Sequence, residues 1–333
     1  MPDNFFNLPK GIQHLILSGA ESKLNIPAII LEKDIWICWF LKELFVLPTN
    51  MAFKGGTSLS KAYNLINRFS EDVDITIDYR FFLPNLDLNQ SISRSALKKL
   101  DIQLKIQLKQ YVNEVILPHL QQRLKANFSS ETFKTILNEN GEQLTIYYPT
   151  LFKEIPGSYL QSSVLLEFGG RNSIEPSQDC KISALLAQAV TELELPNAQV
   201  RVLSPLRTFW EKATLIHVEC HRNRLSNSPE RLSRHWYDLA LLARNSIGQQ
   251  ALTNRILLED VVRHKKAFFN AAYTHYDKCL TNQFQLIPRD DELEKLNDDY
   301  TNMVSAGMFS GEAPNFSEII NTLKKLEQVI NNA

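Results

Sequence analysis

The order of apolar and polar residues along the chain predicts a protein rich in helices. In residues 32–47 apolar side chains recur at helical spacing, and the pattern ends near Pro48. The segment 95–126 has the pattern of a long amphipathic helix that Pro118 kinks or breaks. Four further helices are predicted at residues 205–221, 231–245, 256–273 and 316–331.

Strand signals cluster in the first half of the chain. Residues 72–79 alternate apolar and polar side chains with a period of two, which is the pattern of a half-buried strand. Three more short strands are predicted at residues 51–54, 143–148 and 163–168. The expected fold class is therefore α/β, with a small mixed sheet flanked by helices. We expect residues 1–205 to form this core together with N-terminal helices, and residues 206–333 to form a mainly helical region.

Composition and charge limit the possible functions. A chain of 333 residues is long enough for one large domain or two ordinary ones. A net charge of −1 argues against indiscriminate coating of nucleic acid, although it allows a local basic patch. The N-terminus lacks a basic segment followed by an apolar run, and the longest apolar run, Ile35 to Phe40, is too short to span a bilayer. We therefore expect a cytoplasmic protein with reduced cysteines.

A pair of glycines in the segment 54–58 (KGGTS) lies between a predicted strand and a predicted helix. Glycine lets the backbone approach a ligand closely. Thr57 or Ser58 is the expected N-cap of the helix, and the first N–H groups of a helix form a ready site for phosphate. The segment is therefore a candidate phosphate cradle.

The next strand carries two carboxylates, Asp72 and Asp74. Side chains of a strand repeat every two residues, so both lie on one face, while Val73 and Ile75 face the core. Two adjacent carboxylates repel each other, and a divalent cation removes that repulsion. Their hard oxygen atoms suit Mg²⁺ or Mn²⁺, with substrate phosphates completing the coordination. A phosphate cradle beside a metal clamp is what nucleotidyl transfer requires.

Each motif alone is often structural, since Gly-Gly-Thr can be a simple turn and Asp-x-Asp a solvated face. Their order is far more specific. It resembles the signature of the polymerase-β-like nucleotidyltransferase superfamily. More narrowly, the chain resembles the AbiEii/AbiGii toxin family, which includes the MenT-type tRNA-modifying toxins. The matching segments are 32–34 (EKD), 54–61 (KGGTSLSK), 68–74 (RFSEDVD), 204–212 (SPLRTFWEK), 234–239 (RHWYDL), 298–303 and 314–316.

The resemblance implies a role for each matching residue. Asp72 and Asp74 would hold the metal, and Glu167 in the strand 163–168 would be a third ligand. The residues expected to bind the nucleotide are Lys54, Gly55, Gly56, Thr57, Ser58 and Lys61.

Three further residues match functional positions of the family. Ser70 lies two residues before Asp72, where these toxins carry a functionally important serine. Lys212 matches a lysine that contacts the nucleotide phosphates, and Asp238 matches an acid that orients this lysine or the acceptor. Without the resemblance, Lys212 would be read as a surface lysine in a salt-bridged helix face.

The resemblance also implies the reaction and its partners. The enzyme would transfer a nucleoside monophosphate from a nucleoside triphosphate (NTP) to a tRNA end and release pyrophosphate. Residues 206–333 would complete the active site. The cofactor would be Mg²⁺ or Mn²⁺, and a cognate antitoxin would be the protein partner in a toxin–antitoxin or phage-defence pair. Two alternatives remain open: modification of a protein or of the chain itself (AMPylation-like, at Ser70 or Ser58), and nucleotide binding without catalysis.

Two other features have competing interpretations. His217, His221 and His235 suggest a metal site, and the first two have a zinc-compatible spacing. The order His-Val-Glu-Cys-His is not a zinc-protease motif, however, so a structural or acceptor-side role is favoured. Basic residues form either a solvated surface or a contact surface for RNA phosphates. They are Arg201, Arg207, Arg222, Arg224, Arg231, Arg234, Arg263, Lys265 and Lys266.

Overall fold

The computed structural model describes residues 3–128, 132–153, 160–222, 225 and 231–332. The chain forms two compact units. The first unit comprises Met1–Ala62, Arg68–Asn85 and Ile102–Val202, and the second unit comprises Tyr63–Asn67, Leu86–Asp101 and Leu203–Ala333.

The helices are α1 (Lys10–Leu24), α2 (Ala28–Leu44), α3 (Gly55–Lys61), α4 (Tyr79–Phe82), α5 (Arg94–Tyr111), α6 (Leu117–Asn127), α7 (Pro205–His221), α8 (Ser233–Arg244), α9 (Ser246–Thr253), α10 (Arg255–Phe268), α11 (Asp290–Ser305) and α12 (Phe316–Asn331). The strands are β1 (Asp3–Asn4), β2 (Met51–Lys54), β3 (Asp72–Asp78), β4 (Lys134–Leu137), β5 (Gln143–Tyr147), β6 (Ser163–Asn172), β7 (Ser177–Ser183), β8 (Leu193–Glu194) and β9 (Asn197–Leu203).

The predicted mixed sheet is confirmed in the first unit. Seven strands lie in the order β4-β5-β6-β3-β2-β9-β7, with β3 parallel to β6 and antiparallel to β2. Strands β1 and β8 form a separate parallel pair. Strand β3 lies in the middle of the large sheet and pairs with β2 and β6 along its two edges, and it carries the two candidate metal ligands.

One face of the central strands forms the core of the first unit. Phe53, Ile75 and Phe168 lie opposite one another on β2, β3 and β6, and all three are buried. Helix α2 is buried around most of its circumference, as expected for a helix that is apolar on several sides. Its Trp36 contacts the rings of Phe6, Trp39, Phe40, Phe128, Phe133 and Tyr148.

The second unit is helical around two buried tryptophans, Trp210 on α7 and Trp236 on α8. The indole nitrogen of Trp236 donates a hydrogen bond to the Leu286 carbonyl oxygen at 3.0 Å. Helix α12 packs on α8 through the buried side chains of an amphipathic face. In the described part of the chain, no helix combines the length and the apolar character needed to cross a bilayer.

The predicted helices at 205–221 and 316–331 are confirmed as α7 and α12. The long helix predicted at 95–126 is interrupted, because a π-helical turn at Val112–Ile116 separates α5 from α6. Pro118 lies in the first turn of α6. Its ring nitrogen has no hydrogen to donate, so the break precedes the proline.

Removing side-chain volume from the sheet core should destabilise the first unit. Ile75 is 0% exposed and Ile102 on α5 is 57% exposed. We expect Ile75→Ala to cost about 2–5 kcal/mol, because it leaves a cavity between packed layers. Ile102→Ala should cost within about 0.5 kcal/mol. Urea denaturation measures both values, and equal costs for the two variants would contradict the placement of β3.

Candidate active site

The backbone of the glycine turn lies directly against side chains of the acidic segment. Gly55 has φ +77°, and a Cβ atom built on it would lie 1.9 Å from Oδ2 of Asp74. A Cβ on Gly56 would lie 2.4 Å from Nη2 of Arg68 and 2.8 Å from Oγ of Ser70. Real Cβ atoms do not approach polar atoms this closely, so neither position accepts a side chain without movement. The turn therefore forms a cradle for the carboxylate, the guanidinium and the hydroxyl.

The prediction that Thr57 or Ser58 caps the helix is wrong. Helix α3 begins at Gly55, and its N-cap is Lys54, which makes no capping bond through its side chain. The positive φ of Gly55, which glycine adopts readily, turns the chain from β2 into the helix two residues earlier than the capping pattern suggests. Since α3 has only seven residues, phosphate binding at this turn would depend on close backbone approach more than on a helix dipole.

The hydroxyls of Thr57 and Ser58 instead hold the glycine turn in place. Thr57 is fully buried, and its Oγ1 donates to the carbonyl oxygen of Ser70 at 3.1 Å and to that of Asp72. Ser58 Oγ donates to the Gly55 carbonyl oxygen at 2.9 Å. Thr57 thereby ties α3 to the start of β3.

The two aspartates lie on one face of β3, as their spacing predicts. Asp72 is buried and Asp74 is half-buried. Lys54, Asp74, Glu167 and Gln143 are opposite one another on four neighbouring strands, so they form one polar row across the sheet. The Glu167 carboxylate accepts a hydrogen bond from Nε2 of Gln143 at 2.7 Å.

The aspartates offer a divalent cation two carboxylates beside a turn without side chains, and these hard oxygen donors fit Mg²⁺ or Mn²⁺. Glu167 shares the face of Asp74. Within the described ranges, however, no three His, Cys, Asp or Glu side chains come together as the ligands of one ion. The assignment of Glu167 as a third metal ligand therefore stays a prediction.

Arg68 is a candidate site residue to which the sequence motifs assigned no role. It is 4% exposed, its Nη1 donates to the Phe69 carbonyl oxygen at 3.2 Å, and its guanidinium lies against Gly56. The spacing of Arg68 in the sequence is the signal that could have identified it. Arg68, Ser70 and Asp72 are spaced by two residues, so an extended segment presents them on the same side.

A second cluster lies in the second unit, on α7 and α8. Lys212 Nζ lies 2.8 Å from Oδ2 of Asp238, and the side chains are 8% and 0% exposed. His235 Nδ1 lies 3.4 Å from the same Nζ. The start of α8 is held by Asp299, whose carboxylate accepts from the backbone N–H groups of Arg231 and Ser233. The lysine and acid predicted to be partners are thus in direct contact.

Comparison with known protein families identifies the family of the chain. The family model of the nucleotidyl transferase AbiEii toxin, from type IV toxin–antitoxin systems, matches residues 39–322. The chain belongs to the AbiEii family. It is therefore a nucleotidyltransferase of a toxin family, and the family expected from its motifs is confirmed.

Among solved structures, the chain is similar to MenT4, a nucleotidyltransferase toxin from Mycobacterium tuberculosis, at 16% identity. The match covers 96% of this chain and 99% of that one, with a TM-score of 0.45, which is too low to support a functional argument. No curated protein matches the chain.

In this AbiEii chain, the Lys61 ammonium is bound inside the protein. It donates to Oδ1 of Asp34 and, at 3.2 Å, to the Ser183 carbonyl oxygen. Burial acts to lower the pKa of Lys61, but the Asp34 carboxylate and the Cys38 thiol outweigh it, so the pKa is raised above its ordinary value. The other oxygen of Asp34 accepts from the Leu185 N–H at 2.6 Å. Nucleotide binding by Lys61 stays a prediction, and its contacts favour a structural role.

Asp34 belongs to a run of three consecutive buried charges on α2. Glu32 accepts from the Thr150 hydroxyl and from the Leu151 N–H, both at 2.7 Å. Lys33 Nζ lies 3.4 Å from Oε2 of Glu71, the residue before Asp72. Each charge of this run contacts a different segment, so the Glu32-Lys33-Asp34 motif braces the surroundings of the site.

The histidines of α7 have structural contacts. His217 Nε2 lies 3.2 Å from the His275 carbonyl oxygen, and Nδ1 accepts from the Gln285 N–H at 3.0 Å. Burial lowers the pKa of His217 to about 4, so the ring is neutral at pH 7. Both ring nitrogens of His217 are thus engaged by the backbone, which confirms the structural interpretation.

Several basic residues of the predicted RNA surface are engaged within the protein. Arg207 is 1% exposed and its Nη1 lies 2.6 Å from Oδ2 of Asp260. Lys265 Nζ donates to the Glu211 carbonyl oxygen at 3.0 Å. Arg224 lies outside the described residues. For the others, RNA contact stays a prediction.

Replacing Lys61 separates its two possible roles. We expect Lys61→Met to destabilise the first unit by about 3–5 kcal/mol, because it leaves the buried Asp34 carboxylate without its cation. Lys125→Met, at an exposed position of α6, should change stability by less than about 0.5 kcal/mol. Thermal or urea denaturation gives both values. A stable Lys61→Met variant whose KM for NTP rises would instead support nucleotide binding.

Proposed function

We propose that the chain transfers a nucleoside monophosphate from an NTP to a tRNA end and releases pyrophosphate. Membership of the AbiEii family gives the reaction class; the donor, the metal and the acceptor are our proposal. The observation that carries it is the contact of the glycine turn with the acidic strand, where the Asp74 carboxylate lies where a Cβ of Gly55 would be.

The turn suits the triphosphate. Gly55 and Gly56 carry no side chains of their own, and a backbone without side chains is what lets phosphate oxygens approach closely. Two cations lie at the same turn: Lys54 precedes it, and the Arg68 guanidinium contacts Gly56. A guanidinium can donate two parallel hydrogen bonds to a phosphate, which fixes the orientation as well as the position. Lys212 matches the family position that is proposed to contact the nucleotide phosphates.

Asp72 and Asp74 are proposed to hold Mg²⁺ or Mn²⁺. Mg²⁺ in nucleotide enzymes is commonly held by one or two carboxylates together with substrate phosphates and water. Two carboxylates on one strand face therefore suffice, and Glu167 would add an oxygen donor from the neighbouring strand. When bound, the metal would neutralise negative charge that develops on the phosphates during transfer.

The transfer itself is a substitution at the α-phosphorus. The acceptor hydroxyl loses its proton to solvent water, and its oxygen forms a bond to the α-phosphorus. The bond from this phosphorus to the bridging oxygen breaks, and pyrophosphate leaves with the electron pair. The Ser70 hydroxyl, which lies beside Arg68 at Gly56, is proposed to donate a hydrogen bond to a phosphate oxygen.

The proposed acceptor follows from the resemblance to tRNA-modifying toxins of this family. The proposal also includes a cognate antitoxin as partner and a cytoplasmic location. Self-modification is the less favoured alternative. Ser70 is 5% exposed and Ser58 is 0% exposed, and a buried hydroxyl cannot reach the α-phosphorus of a bound nucleotide without rearrangement.

A transfer assay tests the proposal. Purified protein is incubated with Mg²⁺, total tRNA and each α-labelled NTP in turn. We expect one nucleotide to label RNA, and Asp72→Asn or Asp74→Asn to reduce labelling by about 1000-fold, since loss of metal contacts costs several kcal/mol of transition-state stabilisation. The label identifies the base that is transferred.

Asp179→Asn is the matched control, because it makes the same carboxylate-to-amide change at a side chain that is 66% exposed. It should retain wild-type labelling. Label in protein instead of RNA would favour the protein-modifying alternative. Nucleotide binding without label in any product, unchanged by Asp72→Asn, would contradict catalysis and favour a binding protein.

A further inference from the structure

A cavity of about 650 Å³ lies within the second unit, and we call it the α10 cavity. Three segments form its walls: residues 88–97, which include the start of α5, helix α10, and residues 270–280 that follow α10. Among the described residues, none of the candidate catalytic residues lines it. Its volume is in the range of small-molecule sites, about 300–1000 Å³, so it can hold a ligand as large as a nucleotide.

The walls of the α10 cavity combine aliphatic and charged side chains. One face of α10 lines it, because its lining residues recur at intervals of three and four positions. They include Glu259, Val262, Arg263 and Lys266. The segment 88–97 adds three aliphatic side chains, one glutamine and one arginine. A ligand in the cavity would therefore meet apolar surface together with charges of both signs.

The start of α5 gives the cavity a region that favours anions. Arg94 is the first residue of this helix, and Leu97 of the same turn also lines the cavity. Arg94 is exposed, and within the described residues it forms no ion pair. The first turn of α5 contains no acidic residue that would offset the positive end of the helix. An arginine and a helix N-terminus are both favoured partners of phosphate, so this region suits a phosphate group.

The two cations that α10 contributes to the cavity already have partners. Nη2 of Arg263 lies 3.1 Å from Oδ1 of Asp260, and its Nη1 donates to Oδ1 of Asn89. Lys266 pairs with Asp277, and their side chains are 43% and 80% exposed. In the described part of the chain, the arginine at the start of α5 is thus the lining cation whose charge no carboxylate balances.

Glu259 is the corresponding acid of the cavity. It is exposed, and its side chain forms no ion pair or hydrogen bond within the described ranges. An ionised carboxylate can only accept hydrogen bonds. A ligand that suits both groups must present an anion to Arg94 and N–H donors to Glu259. A nucleoside monophosphate does both, because its phosphate is anionic and each nucleobase carries N–H groups.

We propose that the α10 cavity binds a nucleoside monophosphate unit, either free or as one unpaired nucleotide of an RNA. Arg94 and the start of α5 bind the phosphate, Glu259 accepts from the base, and the aliphatic walls pack against the flat face of the base. This site is additional to the proposed metal site and requires neither metal nor catalysis. An acidic peptide would also present anions to Arg94, but its acidic side chains offer no flat apolar surface to the aliphatic walls.

Methyl NMR of isoleucine-labelled protein tests the proposal, because Ile92 lines the cavity and reports binding there alone. The variant Ile92→Leu assigns its signal. AMP, inorganic phosphate, a short oligoadenylate RNA and a glutamate-rich peptide are titrated separately, without divalent metal. We expect AMP to shift the Ile92 signal in a saturable manner, with a Kd at least 10-fold below that of inorganic phosphate.

Two variants separate the phosphate contact from the base contact. Arg94→Gln should raise the Kd of both AMP and phosphate about 10-fold, as loss of a hydrogen bond to a charged group implies. Glu259→Ala should raise the Kd of AMP about 10-fold without weakening phosphate. Lys98→Gln, at an exposed position of α5 that does not line the cavity, is the charge-matched control and should stay within about 2-fold of the parent. All three side chains are exposed, so the variants should unfold within a few degrees of the parent.

The proposal is overturned if AMP leaves the Ile92 signal unchanged, if AMP and phosphate bind equally, or if Lys98→Gln loses as much affinity as Arg94→Gln. A shift with the peptide and none with AMP would overturn it in favour of a peptide site. The RNA distinguishes the two sources of the nucleotide: tighter binding than AMP assigns the cavity to RNA, and weaker binding assigns it to a free nucleotide. Failure of the transfer assay would contradict the proposed function and leave the Ile92 result unaffected.

Discussion

The close approach between the glycine turn and strand β3 is the constraint on which the candidate site depends. Gly55 lacks a side chain where the Asp74 carboxylate lies, and Gly56 lacks one where Arg68 and Ser70 lie. The Thr57 hydroxyl ties the same turn to the backbone at the start of β3. These contacts fix the turn to the acidic strand, so the glycine backbone, the Arg68 guanidinium and the Asp74 carboxylate lie together.

Buried charges support this contact from α2. Burial of a single charge is costly, but each of these charges has a partner and further hydrogen bonds. Lys33 contacts Glu71 beside Asp72, and Asp34 contacts Lys61 at the end of α3. The same principle holds in the second unit, where Lys212 and Asp238 form a buried pair. In both units, therefore, ion pairs fix the direction of candidate side chains. Apolar packing alone would not select that direction.

The sequence predicted the parts of the site that depend on local rules. Strand alternation placed Asp72 and Asp74 on one face, and glycine marked the turn. What it could not predict were contacts between distant residues. Lys54 and Lys61 both flank the turn and look alike in sequence, yet only contact with Asp34, 27 positions away, distinguishes Lys61. Boundaries failed where chain geometry overrode a pattern: positive φ at Gly55 moved the helix start, and the π-helical turn interrupted the long helix. Strand β9 and helix α11 were not predicted, although Leu296, Tyr300 and Met303 of α11 recur at helical spacing and are buried.

The central claim is that the turn and the acidic strand form one site for a metal and a triphosphate. Electron paramagnetic resonance of Mn²⁺, titrated into protein with a saturating non-hydrolysable NTP analogue, measures this directly. The account predicts Mn²⁺ binding that requires the nucleotide and that Asp74→Asn weakens by about 100-fold, since loss of a metal contact has an effect of at least this order. Equal binding of Mn²⁺ and nucleotide to the parent and to Asp74→Asn would contradict it.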